Sequence, residues 1–381
     1  MANIAVTGGG TGGHIYPGLA VIEELKNRFE QRNRIFWIGS NAGMDRSIVE
    51  GAGVEFFGIP AGRLRRYFSL KTIPDIFRVI LGFFAARRIL KKHKADILFS
   101  KGGFVSVPPC AAAASLGIPV FTHESDFSPG LATKLNLRFV RKTGGRVFVA
   151  YKDTCKSLPP DLQDRVTVCG NPVRSAFRVS GTGLKADPEK GRVFLGLGLQ
   201  ERILLVLGGS QGAREVNMLV SAAQDDLCRS YTVVHQYGPD QEWTLHKNDR
   251  YIPLPYIKEE MPHVLAAAEL VLGRSGAGTV WESAVLGKPM ILVPLSGAGT
   301  RGDQIENARF FEREGAAIVL TGSDVNPEKL SRTVSAVAEN DKQRELLAEA
   351  ARRIGCLDGA VIISNAIYDV IKGETDEYCN H

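Results

Sequence analysis

Short apolar segments alternate with helical segments along the whole chain, and this alternation limits the possible folds more than any other feature. Thirteen segments are predicted as strands, from NIAVTG at 3–8 to AAIVL at 316–320. Continuously apolar strands separated by helices are typical of parallel sheets that are covered on both faces. A chain of 381 residues is long enough for two such domains. We therefore predict an α/β protein made of two doubly wound, Rossmann-like domains.

The two predicted domains begin alike. The first strand runs into GGTGGH at 9–14, and the eighth runs into GGSQGAR at 208–214. We place the boundary near GNPVR at 170–174, which gives domains 1–172 and 173–356. A helix at about 357–373 is expected to pack back onto the first domain. Two facing glycine loops would form a cleft at the carboxyl edges of the sheets, where open α/β sheets bind ligands.

The first glycine loop contains more glycine than a tight turn requires. Gly8–Gly13 fits G-x-G-x-x-G, but the second strand ends in Gly39 and Ser40, where a dinucleotide site would have an acid. No G-K-[ST] follows the loop, so the pattern of ATP-binding loops is also missing. A tight turn remains the alternative to a site where backbone N–H groups approach an anion or a sugar. His14 would face the ligand.

Other polar clusters also follow predicted strands. HESD at 123–126 and KGGFVS at 101–106 belong to the first domain, and GRSGAGTVWE at 273–282 and DQIENAR at 303–309 to the second. Glu282 could accept both hydroxyls of a ribose, although an exposed helix acid is the alternative. The His-Glu pair could equally be structural. No D-x-D is present, and we predict no metal and no cofactor.

Charge is concentrated in one region. Residues 62–101 contain eleven Lys or Arg and two acids, a local charge of +9, which leaves −3 for the rest of the chain. This imbalance indicates an anionic partner. Within this region, a helix at 73–92 carries an apolar arc of about 200°, wider than the stripe of about 100° that packing on one sheet requires. We predict that it docks on an anionic membrane, with covering loops as the alternative, through Ile76, Val79, Phe83, Arg87, Arg88, Lys91 and Lys92.

The remaining composition indicates an intracellular protein. Six cysteines are scattered without a C-x-x-C pair, as expected for reduced thiols. No signal peptide is recognisable at the N-terminus, and no run approaches 18 apolar residues, so we expect no membrane span.

Taken together and in this order, the motifs resemble one family of bacterial glycosyltransferases. GGGTGGHIYPGLA, KGGFVSVP, HESDFSPGLA, GNPVR, LGGSQGAR, PYIKEEM, RSGAGTVWE and DQIENA follow the order of the MurG family over almost the full chain. The resemblance implies a GT-B fold, with two domains facing each other across a cleft. It also implies inverting transfer of N-acetylglucosamine (GlcNAc) from UDP-GlcNAc to lipid I, which gives lipid II for peptidoglycan synthesis. The expected location is peripheral, on the cytoplasmic face of the inner membrane, with wall-synthesis and division proteins as further partners and no nucleic acid.

The resemblance also implies roles for individual residues. The diphosphate is expected at Arg174 and Ser210, uracil at Ile257, the ribose at Glu282, and the GlcNAc hydroxyls at Gln304, Asp303 and Asn307. Further substrate contacts are implied for Thr11, Gly12, Gly13, Arg274, Ser275, Gly276, Ala277, Gly278 and Thr279. The acceptor loop comprises Gly102, Gly103, Phe104 and His123. This chain has Asp126 where the family often has asparagine, Phe104 where tyrosine is frequent, and Thr133 where some members have asparagine. The donor-binding role of Asp126 is therefore open.

The chemistry expected from the resemblance is an in-line displacement at the anomeric carbon. The 4-hydroxyl of the muramyl sugar attacks and UDP leaves, which requires a base and stabilisation of the departing diphosphate. His14 is the candidate base and Glu124 the second candidate. Three alternatives remain: another GT-B enzyme such as a UDP-GlcNAc 2-epimerase-like protein, a nicotinamide-dependent oxidoreductase, and a non-catalytic nucleotide-sugar or membrane-binding module.

Overall fold

The chain forms two compact units. The structure is a computed structural model that describes residues 2–29, 33–43, 45–62, 72–180, 183–209, 212–239, 248–295 and 302–373. Unit 1 comprises Met1–Arg174 and Asp358–His381, and unit 2 comprises Ser175–Leu357.

Unit 1 is built on a parallel sheet of seven strands in the order β3-β2-β1-β4-β5-β6-β7. The strands are β1 Asn3–Thr7, β2 Arg34–Ser40, β3 Glu55–Ile59, β4 Ile97–Ser100, β5 Val120–Glu124, β6 Val147–Val149 and β7 Val166–Val168. The helices between them are α1 Gly12–Arg28, α2 Asp45–Gly51, α3 Thr72–Lys92, α4 Val107–Ser115 and α5 Leu131–Thr143. The sheet is buried on both faces, since Ile4 and Val6 of β1 pack into one core and Ala5 into the other.

Unit 2 has a parallel sheet of six strands in the order β12-β11-β10-β13-β14-β15, next to a two-stranded hairpin. The strands are β8 Val179–Ser180, β9 Gly183–Leu184, β10 Ile203–Leu207, β11 Thr232–Gln236, β12 Tyr251–Leu254, β13 Leu270–Gly273, β14 Met290–Leu292 and β15 Ala317–Val319. The helices are α6 Pro188–Leu195, α7 Arg214–Ser230, α8 Met261–Ala267, α9 Ala277–Val285, α10 Asp303–Arg313, α11 Pro327–Glu339 and α12 Asp341–Gly355. The last helix of the chain, α13 Gly359–Lys372, belongs to unit 1 and packs on α1.

Both parallel sheets have the strand order of the nucleotide-binding Rossmann fold, with the first strand of each sheet between its second and its fourth. The predicted fold class of two doubly wound α/β domains is confirmed. The topology also places the glycine loops after β1 and β10 at the point where the strand order reverses, which is the ligand-binding position in such sheets.

One element was not predicted from the sequence. The antiparallel hairpin of β8 and β9 follows GNPVR at 170–174, where we place the domain boundary. Each of its strands has two residues. Periodicity cannot reveal so short a strand, because an alternating pattern needs at least four residues.

The stretch Asp341–Lys372 is long and apolar enough to be a candidate membrane span, by length and composition alone. It consists of two helices, α12 of 15 residues and α13 of 14 residues, which are separated by residues 356–358. A span requires about 20 continuous helical residues. In addition, Ile363 and Ile367 of α13 are completely buried in the core of unit 1. These features are typical of core helices.

Candidate active site

The first glycine loop is shaped by close contacts with its neighbours. Gly9 and Gly10 have φ angles of +150° and +88°. A β-carbon on Gly10 would lie 2.7 Å from the ring of Phe104, and one on Gly9 would collide with the carboxylate of Asp45. Only glycine fits at these two positions, so the loop must be glycine-rich to pack where it does.

Asp45 holds this loop against the end of β2. The carboxylate is 1% exposed. It accepts hydrogen bonds from Gly10 N–H over 3.1 Å and from Ser40 N–H over 3.3 Å. Burial raises the pKa of Asp45, and the backbone hydrogen bonds act in the opposite direction. Because Gly10 N–H is already bound, it is not a donor for a ligand, and we infer that Asp45 positions the loop.

His14 lies in the first turn of α1, beside the glycines that follow β4. A β-carbon on Gly103 would be 3.0 Å from His14 Cδ2, and one on Gly102 would be 3.8 Å from His14 Nδ1. Phe104 begins the short 3-10 helix Phe104–Ser106 next to the glycine loop. The structure therefore brings the candidate base together with the predicted acceptor loop.

The segment after β5 is held by its own side chains. Glu124 accepts hydrogen bonds from Asp126 N–H over 3.0 Å and from Gly130 N–H over 2.9 Å, one on each carboxylate oxygen. The carboxylate is also bonded by Thr133, and its pKa is raised, mainly by burial and then by the charge of Asp126. These contacts are typical of a carboxylate that fixes a loop, so the geometry favours His14 over Glu124 as the base.

His123 is buried and electrically neutral. Its Nε2–H donates to the carbonyl oxygen of Gly170 over 3.0 Å, which ties β5 to the segment after β7. Burial, and secondly the charge of Lys101, hold the pKa of His123 well below its usual value. Among the described residues, His123 Nδ1 has no hydrogen-bond partner. Both His123 and Glu124 therefore make contacts that suit a structural role, which supports the structural alternative for this pair.

The other predicted ligands of unit 1 surround the start of α1. Thr11 and Gly13 are exposed, and Gly12 is buried. The guanidinium of Arg174 lies over the ring of Tyr16 at 5.1 Å, which fixes this cation beside α1.

In unit 2, Gln236 at the end of β11 connects the second glycine loop to the predicted uracil site. Its side-chain oxygen accepts from Ile257 N–H over 2.9 Å, and its amide lies 3.5 Å from the carbonyl oxygen of Gly209. Since Ile257 N–H is already bound, the backbone carbonyl of Ile257 is the group left for a base. Ser210, predicted at the diphosphate, lies outside the described residues.

The start of α9 is suited to an anion. Gly276 is the residue before the helix, no side chain caps it, and the first turn contains no acid. A β-carbon on Gly276 or Gly278 would meet nothing within 4 Å, so a ligand can approach the backbone N–H groups that a helix start leaves unpaired. The predicted donor residues here are all half-buried: Gly276, Ala277, Gly278, Thr279 and Glu282.

Arg274 supplies a cation directly before α9. Its side chain is mostly buried, and Nη2 donates to Glu215 Oε2 over 2.9 Å. Among the described residues, the buried Nη1 has no hydrogen-bond partner. A buried guanidinium nitrogen without an acceptor is expected to bind an anionic ligand.

The predicted sugar-binding residues of α10 divide into two groups. Asn307 is completely buried and donates to the carbonyl oxygen of Ser275 over 3.2 Å, while Ser275 Oγ donates to the backbone oxygen of Gln304 over 2.6 Å. Asn307 and Ser275 therefore fix α10 to the loop after β13. Gln304 Oε1 accepts from Leu295 N–H over 2.9 Å, which leaves its amide N–H₂ for a ligand. Asp303 is half-buried.

Comparison with known proteins identifies the family. The models of the glycosyltransferase family 28 N-terminal and C-terminal domains match residues 4–144 and 203–360. A protein of Treponema denticola is 45% identical, with 99% of this chain and 100% of that protein covered. It is named UDP-N-acetylglucosamine--N-acetylmuramyl-(pentapeptide) pyrophosphoryl-undecaprenol N-acetylglucosamine transferase. A relative from Treponema pallidum that is named for the same transfer is 44% identical, with 97% of this chain and 94% of the relative covered. A relative from Bacillus cereus, also named for this transfer, is 39% identical, with 90% of this chain and 93% of the relative covered. The chain belongs to this family, MurG.

Solved structures support the fold. A crystal structure of Acinetobacter baumannii MurG has a TM-score of 0.71 at 24% identity, with coverage of 97% of this chain and 100% of that one. A putative UDP-N-acetylglucosamine 2-epimerase from Listeria monocytogenes has a TM-score of 0.69 at 14% identity, with coverage of 100% and 99%. At these identities the likeness concerns the GT-B fold alone. Membership of the MurG family makes the chain a glycosyltransferase and argues against the nicotinamide-dependent oxidoreductase.

Helix α3 exposes an apolar stripe in this MurG member. The stripe consists of five large apolar side chains that are each 47% to 62% exposed: Ile76, Phe77, Ile80, Leu81 and Phe84. Phe83 instead packs against the core of unit 1, and Val79 is half-buried. Part of the Phe83 side chain therefore covers the sheet, and its contact with a membrane stays a prediction. The stripe continues toward the exposed cations Arg88, Lys91 and Lys92, whereas Arg87 donates to Ser115 Oγ over 3.1 Å.

Two residues at the site were not predicted to act there. Asp45 was missed because it contacts the glycine loop from the start of another helix, 35 residues away in sequence. Lys101 begins the cluster KGGFVS and belongs to the basic region 62–101, for which an anionic partner is predicted, but no role of its own is predicted for it. Its apolar strand neighbours Ile97–Ser100 were the available signal that it is buried.

Proposed function

We propose that this protein transfers GlcNAc from UDP-GlcNAc to the 4-hydroxyl of the N-acetylmuramyl (MurNAc) sugar of undecaprenyl-linked lipid I, with inversion, to give lipid II. The observation that carries the proposal is identity of 39% to 45% over at least 90% of the chain to relatives that are named for this transfer. The site residues described above support it, because both units supply groups suited to phosphates and sugar hydroxyls at the carboxyl edge of a sheet.

The donor is proposed to bind in unit 2. The uncapped start of α9 suits the diphosphate, as does Nη1 of Arg274, which bonds to no acceptor in the part of the chain that the structure describes, because both present N–H donors of positive potential. Glu282 lies in the second turn of the same helix and accepts the ribose hydroxyls. The carbonyl of Ile257 accepts from uracil.

The GlcNAc group is proposed to contact Gln304 and Asp303. The amide N–H₂ of Gln304 is the donor, since its oxygen is bound to Leu295 N–H. Asn307 acts indirectly by fixing α10, because its side chain is buried against the carbonyl of Ser275.

The acceptor is proposed to bind in unit 1, at Thr11, Gly12 and Gly13 and at the glycines beside His14. His14 removes the proton of the 4-hydroxyl as that oxygen attacks the anomeric carbon, while the bond from carbon to the UDP oxygen breaks. An inverting displacement requires only this one base, provided that the departing diphosphate is stabilised. The start of α9, where the donor is proposed to bind, supplies that stabilisation from fixed N–H donors.

The lipid acceptor explains the surface of α3. An apolar stripe beside basic side chains is typical of a helix that lies in the interface of an anionic bilayer. We propose a peripheral location on the cytoplasmic face of the inner membrane, where lipid I is held by its undecaprenyl chain. Proteins of wall synthesis and division are the partners that this location favours.

A transfer assay tests the proposal. The protein is incubated with UDP-GlcNAc labelled in the sugar and with a lipid I analogue, and an analogue that lacks the 4-hydroxyl serves as the matched acceptor. We expect label in the lipid product with the first acceptor and none with the second. Label that stays in an epimerised UDP-sugar would instead support the 2-epimerase-like alternative. Transfer to neither acceptor would contradict the proposal.

A further inference from the structure

Lys101 is a buried cation at the centre of the carboxyl edge of unit 1. It directly follows β4, is 1% exposed, and its backbone N–H donates to the carbonyl oxygen of Thr7 over 2.8 Å. Its stem lies under the first glycine loop, since a β-carbon on Gly8 would be 3.2 Å from Lys101 Cβ. A side chain with a charged end is rarely buried so completely unless the charge has a role.

The ammonium of Lys101 connects two loops. Nζ donates to Ser125 Oγ, and Ser125 Oγ donates to Asn171 Oδ1 over 2.7 Å. Ser125 lies between Glu124 and Asp126, and Asn171 belongs to the segment after β7. Among the described residues, this hydroxyl is the hydrogen-bond acceptor of the ammonium, and it carries no charge. The compensating negative charge must therefore come from groups further away.

Those groups are the two carboxylates beside Ser125. Glu124 and, after it, Asp126 stabilise the charged form of Lys101, whereas burial lowers the pKa of Lys101 to about 8. The other titratable groups nearby add little charge. His123 is neutral, and the Cys169 thiol stays protonated because burial raises its pKa. His14 acts on His123 by an electrostatic interaction.

We propose that Lys101 is a positioning residue of the acceptor site, which holds the segment Glu124–Asp126 through Ser125 and offsets its two carboxylates. This inference rests on the proposed function, because the ligand whose charge matters is the diphosphate of lipid I. Without the ammonium, the edge that carries His14 would lose one positive charge beside these two carboxylates, and a dianion would bind there less favourably.

A double-mutant cycle on lipid I kinetics tests the inference. Lys101→Met keeps the length of the side chain and removes the charge, and Asp126→Asn removes one carboxylate. We expect Lys101→Met to raise the KM for the lipid I analogue at least tenfold with the KM for UDP-GlcNAc within twofold of wild type. Asp126→Asn alone should stay within threefold of wild type. Adding Asp126→Asn to Lys101→Met should lower the raised KM for the lipid I analogue most of the way back to the wild-type value.

The pH dependence separates this role from a purely structural one. In the wild type, the acceptor KM should rise as the pH increases from 7 to 9, because the ammonium loses its proton in that interval. In the double variant it should stay flat. An unchanged acceptor KM for Lys101→Met, or single effects that simply multiply, would overturn the inference while the transfer reaction itself stands.

Stability gives a readout that does not depend on turnover. If the ammonium offsets Asp126, Lys101→Met should lower the free energy of unfolding less in the Asp126→Asn background than in the wild type. If the wild type makes no lipid II, the proposed function fails, and this cycle still decides whether the two charges are coupled. Equal losses in both backgrounds would overturn the charge offset.

Discussion

His14 is the residue on which the proposed chemistry depends. It lies between the first glycine loop and the glycines after β4, so its ring faces the region proposed for the acceptor. His14→Asn keeps a polar side chain but cannot remove a proton. We expect kcat to fall by about 10²–10⁴, with the Kd for UDP-GlcNAc unchanged by calorimetry. A loss confined to donor affinity would instead make His14 a ligand and favour Glu124 as the base.

His235 links stability to pH. It is buried between Tyr251 and Asn217, at 2.6 Å and 3.1 Å, and burial lowers its pKa to about 4. In the unfolded chain a histidine titrates near 6.5, so between pH 6.5 and 4 only the unfolded state binds this proton. The free energy of unfolding should therefore fall as the pH decreases through this interval, by up to about 3 kcal/mol from this group. Urea titrations of wild type and His235→Gln at several pH values test this, because the free energy of unfolding of the variant should depend less on pH in this interval. The same pH dependence in both proteins would contradict the prediction.

At the scale of single residues, the sequence indicated the chemistry better than the contacts. The predicted clusters rich in glycine, histidine and acids follow strands in the structure, so they lie at the carboxyl edge of each sheet. Which of these side chains hold loops, as Glu124, Asn307 and Asp45 do, depends on distances between segments far apart in sequence. Such distances are fixed by packing and leave no local pattern.

Helix α9 shows how one element supplies several groups to a ligand. Its uncapped start suits the diphosphate, and Glu282 lies on the next turn. Glu282→Gln preserves the shape and removes the charge. We expect the KM for UDP-GlcNAc to rise about tenfold to a hundredfold, since a hydrogen bond to a charged group contributes about 1.5–3 kcal/mol. The matched control is Glu189→Gln in the exposed first turn of α6, which should have no effect. Equal KM values for the two variants would remove Glu282 from the site.

At the scale of elements, apolar periodicity predicted all thirteen strands of the two parallel sheets, because strands buried on both faces are continuously apolar. It could not predict the hairpin of β8 and β9, which is too short for a pattern. The apolar arc predicted for α3 was wide enough to include two faces, one that packs on the core and one that is exposed. Only the packing of Phe83 and Leu90 distinguishes them.

At the scale of the whole molecule, charge and apolar surface coincide on α3, and this predicts how the protein reaches a lipid substrate. Reversing Arg88, Lys91 and Lys92 to Glu should weaken binding to anionic vesicles at least about a hundredfold, since each basic residue near such a surface contributes ~1 kcal/mol. Turnover of a lipid-embedded acceptor should slow, and turnover of a short-chain soluble acceptor should persist.

The matched control reverses three exposed lysines of unit 2, Lys190, Lys329 and Lys342, and so changes the net charge equally. We expect it to bind anionic vesicles with less than a tenfold loss. Equal losses for the two triple variants in a vesicle sedimentation assay would mean that total charge, and not α3, determines binding.

The bond that this protein is proposed to form joins GlcNAc to MurNAc in lipid II. The most direct measurement is the structure of the product, purified after incubation with UDP-GlcNAc and a lipid I analogue and analysed by mass spectrometry and NMR. We expect one added GlcNAc, attached in the β configuration to the 4-oxygen of MurNAc, since the donor is α-linked and the proposed displacement inverts. Recovery of unmodified lipid I, or a GlcNAc attached in the α configuration or at another oxygen, would contradict it.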